Sequence, residues 1–341
     1  MQNPNTWATY YTWTTGATLR LGVPITDEFT IQPAYSLYGT RIEIPNTESR
    51  PYDDCQGPGG TPGNYIPADN WTPPGGAQQT PSVDSNCLTN GEASVAIKQA
   101  AAKGTIITSL VGYSLIWDSI DDRKNPTNGI FANFHQDVAG LGGQSKFLRE
   151  TFDGKYYYPL TDDVTGLLRL QGGRIDQIGG GDLPLTDTFS LGPTLVRGFA
   201  PGGMGPRDIT DPSSLAANGL GGTTYFGGSA ELQFPIFGLP KEVGLKGAIF
   251  ADAGTLFGYQ GATDFSKLLG YSYCPTAGTN PAYTQPSCIT LDDEHKIRSS
   301  VGASLIWASP LGPIRIDYAY AVTKGKYDQL QAFNFSGGAQ F

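Results

Sequence analysis

The side chains best suited to a specific contact are Val196, Arg197, Gly198 and Phe199. They lie in a tract of roughly fifty residues, about 177–224, that is otherwise mostly Gly, Pro, Asp and Thr, and a loop this long in a β-domain is functional or disordered. A guanidinium presents a rigid fork of donors suited to carboxylates, and a phenylalanine supplies a large apolar anchor. The tetrapeptide therefore reads as a docking element, and what it docks onto decides most of the functional reading. Acid–base chemistry finds little support. The two histidines, His135 on an alternating segment and His295 beside a loop, show no evident Ser/Asp constellation. No P-loop, dinucleotide fingerprint or His-Glu-x-x-His motif occurs. Neither an enzyme nor a cofactor is expected.

The four cysteines fall into two local pairs within polar loops, Cys55 with Cys87 and Cys274 with Cys288. Neither pair has Cys-x-x-Cys spacing, and neither histidine is near, so no metal site is expected. Two loop disulfides, Cys55–Cys87 and Cys274–Cys288, formed in an oxidising compartment, are the reading that fits.

The elements that must position the tetrapeptide have a period of two. Tyr11, Trp13, Ala17, Leu19, Leu21 and Val23 share one face, with Thr12, Thr14, Thr18 and Arg20 on the other. Ile249, Ala251 and Ala253 oppose Lys246, Asp252 and Gly254; Val301, Ala303, Leu305 and Trp307 oppose Arg298, Ser300 and Ser304. Ile314, Ile316, Tyr318, Tyr320 and Val322 oppose Arg315, Asp317, Ala319 and Ala321. Long strands with one apolar and one charged face suit a wall between lipid and a wet lumen. Aromatics near strand ends (Trp117, Tyr156, Tyr157, Tyr158, Trp307, Phe341) read as interfacial girdles.

Composition agrees. The chain has 341 residues, with 46 Gly, 18 Tyr, 16 Phe and a net charge of -9, and its mean hydropathy is -0.24. No apolar run reaches the roughly 18 residues of a membrane-spanning helix. The negative charge and scattered Lys/Arg argue against nucleic acid as a partner. Nothing at Met1 resembles a signal peptide.

The spacing predicts strands over 7–23, 29–44, 105–118, 129–140, 145–158, 164–176, 225–236, 243–257, 296–308, 314–323 and 331–341. Short turns (24–28, 159–163, 237–242, 309–313) alternate with long loops at about 45–104, 177–224 and 258–295. That asymmetry places the long loops outside the cell. A short helix is expected over 92–103, with Asn90 as its cap. The fold class is thus an all-β, antiparallel transmembrane barrel over 1–341. Bacterial single-chain barrels have an even strand number, so a count of about eleven implies that N-terminal strands are missing from this sequence.

An ordered series of motifs carries a resemblance. Tyr113–Asp118 precedes Asp122–Gly129; Ala139–Gly143 and Tyr158–Leu160 come next, then Val196–Phe199, Gly227–Gly228 and Glu231–Pro235. Phe250–Gly254, Ser309–Pro313 and an aromatic C-terminus complete it. In that order they resemble the C-terminal part of the barrel of the BamA family, the outer-membrane protein assembly factors. The resemblance implies a sixteen-stranded barrel in the bacterial outer membrane, and a role in inserting and folding β-barrel proteins. It implies nascent outer-membrane proteins, assembly-complex lipoproteins, and outer-membrane lipid with lipopolysaccharide as partners. No segment resembles the periplasmic POTRA domains of the family.

In that family the loop arginine folds into the lumen and pairs with acids on neighbouring strands, and Glu231 and Asp252 match those positions. The alternation independently turns both carboxylates inward. A second expected site is the last strand, where Phe333, Phe335, Gly337 and Phe341 share a face and Gly338 adds a second glycine. Glycines weaken a strand, and the resemblance implies a seam here that templates incoming strands. A passive porin and a related assembly barrel such as TamA are the alternatives.

Overall fold

The computed structural model describes residues 2–4, 10–43, 46–47, 50–51, 94–123, 125–180, 183–209, 219–236, 238, 244–264, 289–309 and 312–337. Eleven antiparallel strands follow one another in a single curved sheet. They are β1 (Tyr11–Arg20), β2 (Phe29–Glu43), β3 (Ile106–Asp118), β4 (Gly129–Gly143), β5 (Phe147–Pro159) and β6 (Thr165–Gln177). The second half comprises β7 (Thr224–Pro235), β8 (Leu245–Phe257), β9 (Arg298–Ser309), β10 (Gly312–Thr323) and β11 (Phe333–Gly337). A three-residue strand, Gln2–Pro4, pairs with Tyr11–Trp13 and adds a twelfth member at the leading edge. Every neighbour in the sheet is also a neighbour in sequence, the up-and-down order of a membrane barrel. Among the described residues no ladder joins β11 back to the leading edge.

Three boundaries differ from expectation. In the first segment, expected over 7–23, the described strand runs from Tyr11 to Arg20, residues 7–9 lie outside the described ones, and Val23–Pro24 pair separately with Thr30–Ile31. The last segment, expected over 331–341, pairs with β10 only from Phe333, because Leu330–Gln331 pair elsewhere. The short helix α1 runs Val95–Ala102, and Ser94, not Asn90, is its cap: its Oγ accepts the Ala96 N–H at 3.2 Å. Asn90, Gly338, Phe341 and all four cysteines, hence both expected disulfides, lie outside the described residues.

Alternation sorts the two faces as expected. Leu168, Leu170, Phe226, Ile249, Val301 and Tyr320 are exposed on the outer face. Asp137, Glu231, Asp252, Ser300 and Asp317 are buried on the inner one. The tyrosine run divides by the same rule. Tyr156 and Tyr158 face outward, whereas Tyr157 is buried inside, so only two of the three can serve a girdle.

The short turns have a local cause. Thr26 Oγ1 accepts the Phe29 N–H at 2.9 Å, and Thr161 Oγ1 accepts the Val164 N–H at 3.1 Å. The hydroxyl thus replaces a backbone acceptor in both chain reversals. At the other end of the sheet, α1 packs Ala96 and Ile97 against Ile42, Leu220 and Ile289, so parts of three long loops share one apolar cluster.

Candidate functional site

The 177–224 loop turns into the lumen and docks on β7 and β8. Gly227 and Gly254 are register partners on these strands. A Cβ at Gly227 would lie 2.7 Å from Leu195 Cδ1, and one at Gly254 would lie 3.0 Å from Leu195 Cγ. The two glycines therefore form the notch that seats Leu195. Leu195, Val196, Phe199 and Met204 are buried together.

This seating delivers Arg197 to the wall. Its Nε donates to Asp252 Oδ2 at 2.7 Å and its Nη2 to Asp252 Oδ1 at 2.6 Å, a bidentate pair. The Arg197 backbone N–H also donates to Asp252 Oδ2 at 3.0 Å. Nη1 donates to Glu231 Oε2 at 2.7 Å, and Nη2 donates to Ser229 Oγ at 2.8 Å. The guanidinium carbon lies 3.4 Å from the centroid of the Phe250 ring, which adds a cation–π contact. The Phe250 ring in turn covers Gly302, where a Cβ would fall 2.4 Å from Phe250 Cζ.

Glu231 has a second cation that sequence reading missed. Arg315, on β10, donates from Nη2 to Glu231 Oε2 at 2.6 Å and from Nη1 to Oε1 at 3.0 Å. Arg315 Nε also donates to Asp317 Oδ1 at 2.7 Å, and Asp317 accepts from Ser304 Oγ. Arg197, Arg315, Glu231, Asp252 and Asp317 thus form one cluster that ties the loop to β7, β8 and β10. The signal for the missed half was the inward placement of Arg315 and Asp317 in the alternation.

The loop holds a second buried guanidinium that also escaped sequence reading. Arg207 is only 2% exposed and donates from Nη2 to the Gly202 carbonyl at 2.7 Å. Burial lowers its pKa to about 10 against the attraction of Asp328, and it remains a cation at neutral pH. Arg207 and Asp208 pair in register with Asp292 and Leu291, and Ser94 Oγ donates to Asp208 Oδ2 at 2.6 Å. The loop is the hub on which the other long loops converge.

Its far end is held by Asp187, whose carboxylate accepts from Ser145 Oγ at 2.7 Å. Burial raises the Asp187 pKa, against the hydrogen bond of Ser145 and the charge of Arg149. The folded protein therefore binds this proton more tightly than the unfolded chain does, and stability falls as pH rises through the raised pKa. The Asp187→Asn variant is expected to keep the Ser145 bond and lose that pH slope. Thermal unfolding of both proteins between acid and neutral pH checks this; parallel pH profiles would refute it.

His135 differs from expectation. Its Nδ1 lies 2.8 Å from Ser114 Oγ, and its Nε2 lies 2.9 Å from Asp137 Oδ1. The row resembles a nucleophile–base–acid arrangement that cross-strand pairing made invisible in sequence. Hydrolysis needs more. Ser114 sits in mid-strand between β2 and β4, where backbone N–H groups serve the ladders rather than a developing oxyanion. The other oxygen of Asp137 takes two bonds from Arg149. The row is one more paired patch of lumen wall, like Arg169 with Asp153.

Of the expected seam residues, Phe333 and Phe335 are exposed on the outer face, 65% and 69%, and Gly337 ends the described part of β11 opposite Ile314.

The Omp85 superfamily domain model matches residues 1–341. The chain is 34% identical over 246 residues to the outer membrane protein assembly factor BamA of Neorickettsia risticii, covering 72% of this chain and 29% of that protein. It is 28% identical over 245 residues to BamA of Neisseria meningitidis serogroup B, again 29% of that protein. The chain thus spans under a third of the length of these relatives. Among solved structures, BamA from Haemophilus ducreyi lacking POTRA domains 1–3 superposes with a TM-score of 0.64 at 19% identity, covering 98% of this chain and 56% of that one. The shared architecture is that of a BamA barrel, and the chain belongs to the Omp85 superfamily.

Proposed function

We propose that this chain is barrel wall of an outer-membrane protein assembly factor, which inserts and folds β-barrel proteins through a seam at its last strand. The observation that carries the reading is the contrast between β10's two edges. Toward β9 the ladder runs from Gly312 to Thr323, whereas toward β11 it stops at Tyr318 opposite Phe333. A strand left half-paired in a membrane wall exposes N–H and C=O groups that hydrocarbon cannot satisfy. Such an edge favours an incoming strand through β-augmentation. Phe333, Phe335 and Gly337, with Gly338 and Phe341 beyond them, are the proposed seam residues.

Val196–Phe199 with Glu231 and Asp252 form the proposed latch that keeps the long loop in the lumen. The names of the relatives support the assembly role, and the pairing of lumen charges with a docked loop supports it over a passive pore. Nascent outer-membrane proteins are the proposed clients, in a bacterial outer membrane of lipid and lipopolysaccharide. Assembly-complex lipoproteins are the proposed accessory partners.

The full-length protein in liposomes is expected to accelerate folding of a small unrelated β-barrel about tenfold or more, equivalent to some 1.4 kcal/mol of barrier. Its conductance is expected to be small and flickering. A steady large current without acceleration would make the chain a porin.

A further inference from the structure

The loop and the last strand share backbone hydrogen bonds that stand apart from the charge cluster. Gly198 and Phe199 pair antiparallel with Gln331 and Leu330. The Ala200 N–H donates to the Gln329 carbonyl at 2.9 Å, and the Gln329 N–H donates to the Gly203 carbonyl at 2.8 Å. Gly198 has φ +94°, and a Cβ there would lie 3.2 Å from Ala319 Cβ on β10. Glycine lets the loop backbone adopt this conformation and lie directly against the strand. The segment leading into β11 is therefore strapped to the loop.

The same segment has an unused register on β10. Tyr318 lies opposite Phe333, and the Ala319 N–H donates to the Ala332 carbonyl at 2.9 Å. One step further, the register would set Tyr320 opposite Gln331 and Ala321 opposite Leu330. The chain instead bends at Ala332, and Leu330–Gln331 pair with the loop. The outer half of β10, with Tyr320 and Val322 exposed toward lipid, has no ladder on that side.

We infer that the Val196–Phe199 loop is a strap that holds Gln329–Gln331 off the outer half of β10. When the strap is released, this segment joins Tyr320–Val322 and lengthens the last ladder. The loop thereby sets how much of the seam is closed. The charge cluster adds a second tie, because Glu231 accepts from both Arg197 and Arg315, and Arg315 is the register partner of Ser336 on β11. What this means for client insertion rests on the assembly reading; the change of pairing does not.

Strand geometry makes the proposal separable. Backbone N–H groups alternate in direction along a strand. With Ala319 donating toward the last strand, Ala321 points the same way; with Gln329 donating toward the loop, Leu330 points toward β10. A proline at 329 therefore removes a strap bond whose donor has no role in the lengthened ladder, a placement that edge strands tolerate.

The test is backbone amide exchange at Ala321 in the full-length protein embedded in a bilayer. Exchange there is expected to slow about tenfold in Gln329→Pro, and likewise in Arg197→Ala, relative to the unaltered protein. The Asp317 amide, in the inner ladder, reports that each variant is folded. If Arg197→Ala fails that criterion, Gln329→Pro decides alone, since it leaves the charge cluster intact. Unchanged or faster exchange at Ala321 in a folded variant overturns the proposal. No client is present, so failure of the assembly reading cannot produce either result.

Discussion

Replacing Arg197 with alanine is expected to free the loop from the lumen at a cost of about 3–5 kcal/mol, the range for removing one partner of a buried ion pair. The loss falls mainly on Asp252, which is 4% exposed and accepts two side-chain bonds from Arg197. Glu231 keeps Arg315 and suffers less. Lysine is expected to rescue poorly. One ammonium cannot hold Asp252 in a bidentate pair while also reaching Glu231 and Ser229, and it gives up the planar stack on Phe250. Two measurements check this: protease cleavage within 177–224 in intact vesicles, and the temperature at which the folded form converts on an unheated gel. An alanine variant as protected and as heat-stable as the parent would refute the latch.

How far such a cluster can be read from sequence depends on which distances period-two patterning encodes. Alternation assigns a face to each residue once a strand is recognised, so the inward placement of Glu231 and Asp252 needed no tertiary information. It does not encode curvature. Arg315 and Asp317 were visible as inward residues, but Arg315 reaches Glu231 only because the sheet bends three strands round. Arg207 and Asp208 carried no signal, since a charged pair in a Gly-rich loop looks solvated until other loops are folded over it. Ser114 and His135 are 21 residues apart and meet through the β3–β4 register. For Tyr157 the information was present: its neighbours Tyr156 and Tyr158 face lipid, so the middle ring must face in. The last strand shows the opposite limit. Its expected span began at Gln331, yet Leu330 and Gln331 pair with the loop, because a competing partner lies outside any pattern within the strand.

The two acids of the latch are expected to fail differently when neutralised one at a time. Asp252 accepts from Arg197 through Nε, Nη2 and the backbone N–H, all of them bonds of the loop. Asp252→Asn puts an amide that can donate against a guanidinium that only donates, so the loop should be released while the wall stays whole. Glu231 accepts one bond from Arg197, two from Arg315 and one from Gln233 on its own strand, so three of these four bonds lie within the wall. Glu231→Gln should therefore lower the unfolding temperature of the barrel while Asp252 still holds the loop. In double-mutant cycles with Arg197→Ala, the coupling to Asp252 is expected to be about 2–3 kcal/mol and the coupling to Glu231 about 1 kcal/mol, within the range for residues in direct contact. The decisive comparison is protease access to the loop against thermal conversion of the same two variants. If both variants lose both properties together, the loop and the wall form one cooperative unit, and Arg197 is part of the barrel's core rather than a latch upon it.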